Sequence, residues 1–331
     1  MKENTFSTDG INCKMLLQIG RSLSFPEPDV CSALDSCDGM VAPCVLPMQF
    51  GRRGWWNFIG SQYSMVCIRY SLEGIKPAIT VWNPLIKCSR ELEDPAERLY
   101  RQAMSGYAFG YKKDTDNYYV ANLSKCHIKD SSFVHCNIFS SAEGEWKRGY
   151  IKDAGIKVLS SSSVIHQEKT IWINMAGRHS TIGDDIVVLE LEKMEIQAFK
   201  ITSAPNQYFQ NLVLNGSNLL LVGYEISKIG VVTIMRKVDI IGMRILPWKK
   251  IVENRPRGIP SIPIHVFGTN MLIVYEKVGL ARRAINLLKT IIEVHKLNLL
   301  TKQGSIILGT EWLYDMSFKN SVLVSQGMLI P

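Results

Sequence analysis

The feature that most constrains this chain is a hairpin that recurs about every 50 residues. Its clearest copy is Asn215-Gly216, set between Leu212-Val213-Leu214 and Leu219-Leu220-Leu221-Val222. Asn-Gly adopts the positive φ of the two-residue turns that match strand twist, so the flanking apolar runs read as antiparallel strands. Similar pairs surround residue 168 (Val164-Ile165-His166, then Thr170-Ile171-Trp172-Ile173) and residue 269 (His265-Val266-Phe267, then Met271-Leu272-Ile273-Val274-Tyr275). These three turns lie about 48 and 53 residues apart. Further turns fall at Asp38-Gly39, at Lys112 to Asn117 and at Gln326-Gly327.

A second strand pair follows four of these turns. The pairs are Phe133–Phe139 with Trp146–Ile151, Ile186–Leu191 with Ile196–Ile201, Val231–Ile241 with Met243–Ile251, and Ile291–Leu300 with Ser305–Leu308. Several end on an aromatic followed by a lysine: Trp146-Lys147, Phe199-Lys200, Trp248-Lys249. Four strands per unit at this period is the pattern of a β-propeller with kelch-like spacing. One four-stranded sheet cannot cover both of its apolar faces, whereas radial neighbours cover each other.

Turns near 38, 115, 168, 216, 269 and 327 predict an all-β ring of about six four-stranded blades. The ends are expected to share one blade. A strand over Cys13–Ile19, a turn at Gly20-Arg21 and a strand over Ser22–Phe25 would pair with a final hairpin over Ser321–Ile330, leaving no open sheet edge. The whole chain, 1–331, then reads as one domain, with residues 1–12 expected to be disordered. Helical periodicity is confined to Gly279–Ile292, where Leu280, Ala284, Leu287, Leu288 and Ile291 share a helical face.

Composition narrows the class. With 46% hydrophobic and 21% charged residues, the chain can build a core. No apolar run approaches the length of a membrane-spanning helix, and Met1–Gly20 has no continuous apolar region of a secretory signal. The eight cysteines (Cys13, Cys31, Cys37, Cys44, Cys67, Cys88, Cys126, Cys136) form no CxxC pair and sit among apolar neighbours. Reduced thiols and a cytoplasmic or nuclear address are expected. The net charge of +8 favours an acidic partner.

Sequence signatures of nucleotide binding, zinc proteases, serine hydrolases and EF-hands are absent. Cys126-His127 and His135-Cys136 offer soft ligands, but strand alternation sends each Cys and its neighbouring His to opposite faces, so no metal site is assigned. Asp184-Asp185 near Arg178 and His179 read as a polar loop. Two segments are assigned to partner contact. The first is an insertion over Pro47–Ser61 with Arg52, Arg53, Trp55 and Trp56, because Trp and Arg dominate interface hot spots. The second is a basic stretch of Arg244, Lys249, Lys250, Arg255 and Arg257, opposed only by Glu253. With Trp248 its one nearby aromatic, that stretch suits an acidic protein surface better than nucleic acid. No catalytic residue and no cofactor are assigned.

The motifs resemble a known family. Ser36-Cys37-Asp38-Gly39-Met40, Val81-Trp82-Asn83-Pro84-Leu85-Ile86-Lys87, Phe109-Gly110-Tyr111 before Asp116-Asn117-Tyr118-Tyr119-Val120, and Ile138-Phe139-Ser140-Ser141 before Trp146-Lys147 are similar, in order and spacing, to plant F-box-associated domains. The segments Ser163–Trp172 and Ile186–Ile201 extend the likeness. Tyr119 stands where that pattern has a lysine, and nothing similar to an F-box precedes residue 30. The resemblance implies the target-holding arm of an SCF-type ubiquitin ligase, without intrinsic catalysis. Skp adaptor and cullin would be partners only if an F-box is supplied elsewhere. A truncated relative that binds targets without recruiting a ligase, and a carbohydrate-binding or enzymatic propeller, are the alternatives. Within these motifs Pro84 is expected to end a strand, Gly110 to permit close backbone approach and Trp146 to bury a large side chain in an outer strand.

Overall fold

The structure is a computed structural model that describes residues 13–21, 30–35, 41–47, 55–71, 76–95, 104–125, 133–152, 156, 158–166, 168–175, 185–201, 207–215, 218–227, 230–251, 260–267, 270–280, 288–298, 304–313 and 316–325. Twenty-four strands fall into six antiparallel four-stranded sheets. One sheet joins the two ends of the chain: β1 (Cys13–Arg21), β2 (Val30–Asp35), β3 (Val41–Pro43) and, beside β1, β24 (Met316–Ser325). The second holds β4 (Trp55–Gln62), β5 (Met65–Ser71), β6 (Ala78–Asn83) and β7 (Cys88–Glu93). The third holds β8 (Met104–Lys112), β9 (Asn117–Lys125), β10 (Phe133–Ser140) and β11 (Trp146–Lys152). The fourth holds β12 (Val158–His166), β13 (Lys169–Met175), β14 (Asp185–Glu190) and β15 (Glu195–Lys200). The fifth holds β16 (Gln207–Asn215), β17 (Asn218–Ser227), β18 (Gly230–Asp239) and β19 (Arg244–Ile251). The sixth holds β20 (Pro260–Phe267), β21 (Asn270–Leu280), β22 (Leu288–Asn298) and β23 (Gly304–Leu313).

The leading strands β24, β4, β8, β12, β16 and β20 neighbour one another in a closed cycle. That is the inner wall of a propeller, and the expected six-bladed architecture is observed. Each apolar cluster lies between two consecutive sheets, as radial packing requires. Leu16, Trp56, Phe58, Ile68, Tyr70 and Trp82 join the closing sheet to β4–β7. Ile79, Val81, Leu92, Phe109, Val120 and Phe139 join β4–β7 to β8–β11. Ala121, Leu123, Cys136, Ile165, Trp172 and Val187 join β8–β11 to β12–β15. Ile171, Ile186, Phe209, Leu221 and Ile234 continue to β16–β19. Both faces of the middle strands of β4–β7, β8–β11 and β12–β15 are therefore core.

Gly110 behaves as the sequence requires, for a specific reason. A Cβ built on it would lie 2.3 Å from Ile165 Cβ of the next sheet, so only glycine lets β8 and β12 meet there. Pro84 follows the last residue of β6, where its missing N–H costs no ladder bond. Trp146 is half-buried on β11, with its ring 5.5 Å from that of Phe139.

Three expectations are corrected. The ends do share a blade, but one C-terminal strand joins three N-terminal ones. Gly20 and Arg21 continue β1 and pair with Ser317 and Met316 rather than forming a turn. The Gln326-Gly327 turn and the Asp38-Gly39 turn lie outside the described residues. The supposed insertion Pro47–Ser61 contains β4, the inner strand of a complete blade, which reverses at Tyr63-Ser64. Leu280 and Leu288–Ile291 belong to the paired strands β21 and β22, not to a helix. The β-branched run Thr290-Ile291-Ile292 and the neighbouring ladder outweigh the helical spacing.

Candidate functional site

The rim where the leading strands begin carries the most chemistry. Alternation divides the tryptophan pair at the start of β4. Trp56 turns toward the closing sheet, where it is 1% exposed and meets Phe58 edge-on at 5.0 Å. Trp55 turns the other way and remains 38% exposed. Of the two predicted contact residues, Trp56 is thus core and Trp55 is available. Arg52 and Arg53 lie outside the described residues.

Arg69 of β5 shares the face of Trp55, since Trp55 pairs with Ser71 and Asn57 with Arg69. Its guanidinium lies over the Trp55 ring at 5.1 Å and over the Tyr107 ring at 4.7 Å. Its Nε donates to Asp94 Oδ2 at 2.6 Å, and the Tyr107 hydroxyl donates to Asp94 Oδ1 at 2.7 Å. The Asp94 side chain is 0% exposed. A sealed carboxylate thus fixes a cation between two rings. Burial, reinforced by the hydrogen bond to Asp94 and opposed by the Arg69 charge, pushes the Tyr107 phenol well above its ordinary range. The hydroxyl stays a donor.

Beside this cluster the two sheets part. The face of β8–β11 turned toward β4–β7 begins with an apolar row, Phe109, Val120, Phe139 and Trp146. The next row on that face is Tyr107, Asn122, Asn137 and Arg148, and the next Ser124, His135 and Tyr150. These rows border a depression of about 190 Å³ lined by Pro95, Ser124, His135, Asn137, Arg148, Gly149 and Tyr150. Its floor is satisfied from within: Asn137 Nδ2 donates to Asn122 Oδ1 at 3.1 Å, and Asn122 Nδ2 to the Gly106 carbonyl at 3.4 Å. The His135 and Tyr150 rings lie 4.6 Å apart, and Tyr150 is 71% exposed. Residue type flagged Trp55 in the sequence. Arg69, Asp94, Tyr107 and Arg148 were missed, because only packing between blades brings them together. The polar residues Asn122 and Ser124, in phase with Val120, were the available signal.

The remaining candidates separate. Cys136 is buried between sheets, where burial pushes its thiol up to about 12, while His135 faces the depression. Cys126 and His127 lie outside the described residues, among which no group of three His, Cys, Asp or Glu side chains could hold a metal. Asp185 begins β14 opposite Lys200, and Arg178, His179 and Asp184 lie outside the described residues. Arg244 Nε donates to Asp239 Oδ2 at 2.9 Å. Lys249 and Lys250 lie on β19, and Glu253, Arg255 and Arg257 lie outside the described residues. No helix among the described residues is long and apolar enough to cross a membrane.

No family model and no curated protein matches the chain. Solved structures do. TolB from Acinetobacter baumannii is 10% identical at a TM-score of 0.53, covering 94% of this chain and 66% of its own. A fucose-complexed mutant of Aleuria aurantia lectin is 10% identical at a TM-score of 0.49, covering 85% and 91%. A prolyl endopeptidase is 7% identical at a TM-score of 0.47, covering 90% and 50%. The chain thus spans just under two thirds of TolB and half of the endopeptidase. The likeness to TolB concerns the fold alone. The protein is a β-propeller, a class that includes binding proteins and enzymes.

Proposed function

We propose that this propeller is a protein-recognition module whose contact surface is the rim around Trp55. The observation that carries the reading is the Trp55–Arg69 pair, held at 5.1 Å by a buried carboxylate. Trp and Arg are the side chains that most often anchor interfaces. Fixing them before binding lowers the ordering cost of association. The chain holds its target, and transfer chemistry belongs to other subunits. The resemblance to F-box-associated domains supports placing it as the target-holding arm of an SCF-type ubiquitin ligase, with adaptor contact supplied by an F-box elsewhere.

The test is capture of proteins from a lysate by the wild type, Trp55→Ala and Tyr63→Asn. Tyr63 is similarly exposed, at 39%, but sits at the opposite end of β4. Proteins lost with Trp55→Ala and kept with Tyr63→Asn support the reading. Equal capture by all three overturns it. Co-purification of the Skp adaptor with this chain alone would show adaptor contact without a separate F-box.

A further inference from the structure

We infer that the depression between β4–β7 and β8–β11 receives an acidic peptide segment, with Arg148 as the group that holds a carboxylate. The inference rests on the protein-recognition reading and specifies the chemistry of its partner.

Charge carries the argument. Strand β11, Trp146–Lys152, has three basic residues and no acidic one. Lys147 is answered by Glu143, whose Oε1 lies 2.7 Å from its Nζ. Arg148 and Lys152 are exposed and make no ion pair among the described residues. Arg148 is the one Lys, Arg, Asp or Glu side chain of the lining. Asp94 adjoins Pro95 of the lining, but it is sealed from solvent and bound by Arg69 and Tyr107. Among the described residues, the depression therefore presents positive charge without an ion-paired counter-ion.

Shape supports the same occupant. Asn137 donates to Asn122 and Asn122 to the Gly106 carbonyl, so these floor amides are already engaged within the protein. Tyr150, its ring tilted 54° against that of His135, stands at the mouth, and Phe133, 53% exposed, shares the face of His135 on β10. A peptide can place a carboxylate on the guanidinium, where paired charge-assisted hydrogen bonds are strong, and rest its backbone or an apolar neighbour against the rings. Among the described residues, β11 is the outermost strand of its sheet.

The experiment pans a displayed library of short random peptides over the immobilised full chain, then measures the selected peptides by fluorescence anisotropy. The expected result is enrichment of Asp and Glu, with affinity falling as salt rises. Arg148→Glu and Arg148→Gln should each weaken binding about tenfold or more, the loss of one charge-assisted hydrogen bond. Arg148 is exposed, so both variants should melt at the wild-type temperature, and thermal melting checks this. Selection of peptides without an acidic excess, or binding unchanged in Arg148→Glu, overturns this inference and leaves the module reading standing. Failure to select peptides or to capture any protein overturns both. Tighter, Arg148-dependent binding of a labelled single-stranded oligonucleotide than of any selected peptide would assign the depression to nucleic acid instead and overturn the inference.

Discussion

Trp172 donates its indole Nε1–H to the main-chain carbonyl of Tyr107 at 3.1 Å, across the boundary between two blades. The same carbonyl accepts the Ser163 hydroxyl at 2.8 Å. Tyr107 therefore has two roles: its carbonyl ties β8 to the following blade, while its phenol closes over Asp94 on the other side. Trp172 is fully buried, and a buried indole N–H must be paired. Trp172→Phe should cost about 1–2 kcal/mol through the lost bond and reduced ring volume, and Trp172→Ala about 3–5 kcal/mol. Urea unfolding monitored by circular dichroism measures both. A wild-type midpoint for Trp172→Phe would show that the bond between blades adds nothing.

Gly110 offers a sharper case, because its partner cannot retreat. The 2.3 Å approach to Ile165 Cβ involves the root of a β-branched side chain, which cannot swing aside, and Ile165 is itself buried. Gly110→Ala should destabilise by about 2–3 kcal/mol or more, an overpacking cost. Gly144 supplies a contrast: its Cβ would meet nothing within 4 Å, but its φ of +77° penalises alanine by backbone strain alone, about 1 kcal/mol. Gly110→Ala paired with Ile165→Gly tests the mechanism, because only glycine at 165 removes the Cβ that the new methyl would strike. The double variant should be less destabilised than the two single losses combined.

How much of this was legible depended on how each turn is made. Asn215-Gly216 announces its hairpin by residue type, and the strand pairs from β9 to β23 fall close to their expected places. The β4–β5 hairpin turns on Tyr63, at φ 54°, a conformation that glycine or asparagine would have advertised. Without that signal most of β4 read as part of an insertion, and the count of six was reached by giving separate blades to the turns near 38 and 327, whose neighbouring strands belong to the one sheet of β24 and β1–β3. Lys87, Asp116, Glu168, Met194 and Met243 also take positive φ at strand ends. Similar chemistry hid the site. Trp55 stood out by type, but Arg69, Asp94 and Tyr107 meet only because β5, the end of β7 and β8 converge at a blade boundary.

Asp94 is the residue on which that convergence depends. Asp94→Asn keeps the shape but removes the charge that holds Arg69. Arg69 is 24% exposed and can recruit water, so the cost should be about 2 kcal/mol, less than for a fully buried pair. Freed of its anchor, the guanidinium should leave the Trp55 ring. The measurement is Trp fluorescence together with the capture assay. Capture should drop even at temperatures where Asp94→Asn is fully folded. Undiminished capture would show that fixing Arg69 is irrelevant to recognition.

His166 should make stability depend on pH in a defined direction. Burial lowers its pKa from the ordinary 6.5, so the folded state disfavours the imidazolium. The unfolded chain then binds the extra proton first. This contribution is intact above the unfolded value and is lost progressively as pH falls through 6.5 toward the folded value. His166→Gln should remove that part of the slope, so the difference between the two proteins' urea midpoints should change between about pH 7.5 and about pH 5. A constant difference would show that His166 is equally free to charge in both states.

The joint between the two ends should decide whether the ring unfolds as one body. β1 pairs with β24 from Cys13–Ser325 to Arg21–Met316, with one irregularity between Gln18 and Ile19. β24 is also one of the six leading strands, neighbouring both β20 and β4. Removing residues 316–331 would unpair one side of β1 and open the inner wall at once. An unpaired strand edge invites association with other chains. The shortened protein should melt lower, by on the order of 10 °C or more, and elute as aggregates in size-exclusion chromatography. Removing only 326–331 leaves the β1–β24 pairs from Cys13–Ser325 to Arg21–Met316 in place and should change neither property. If the longer truncation melts like the wild type, the ends are not what holds the propeller closed, and the inter-blade cores described above must suffice without them.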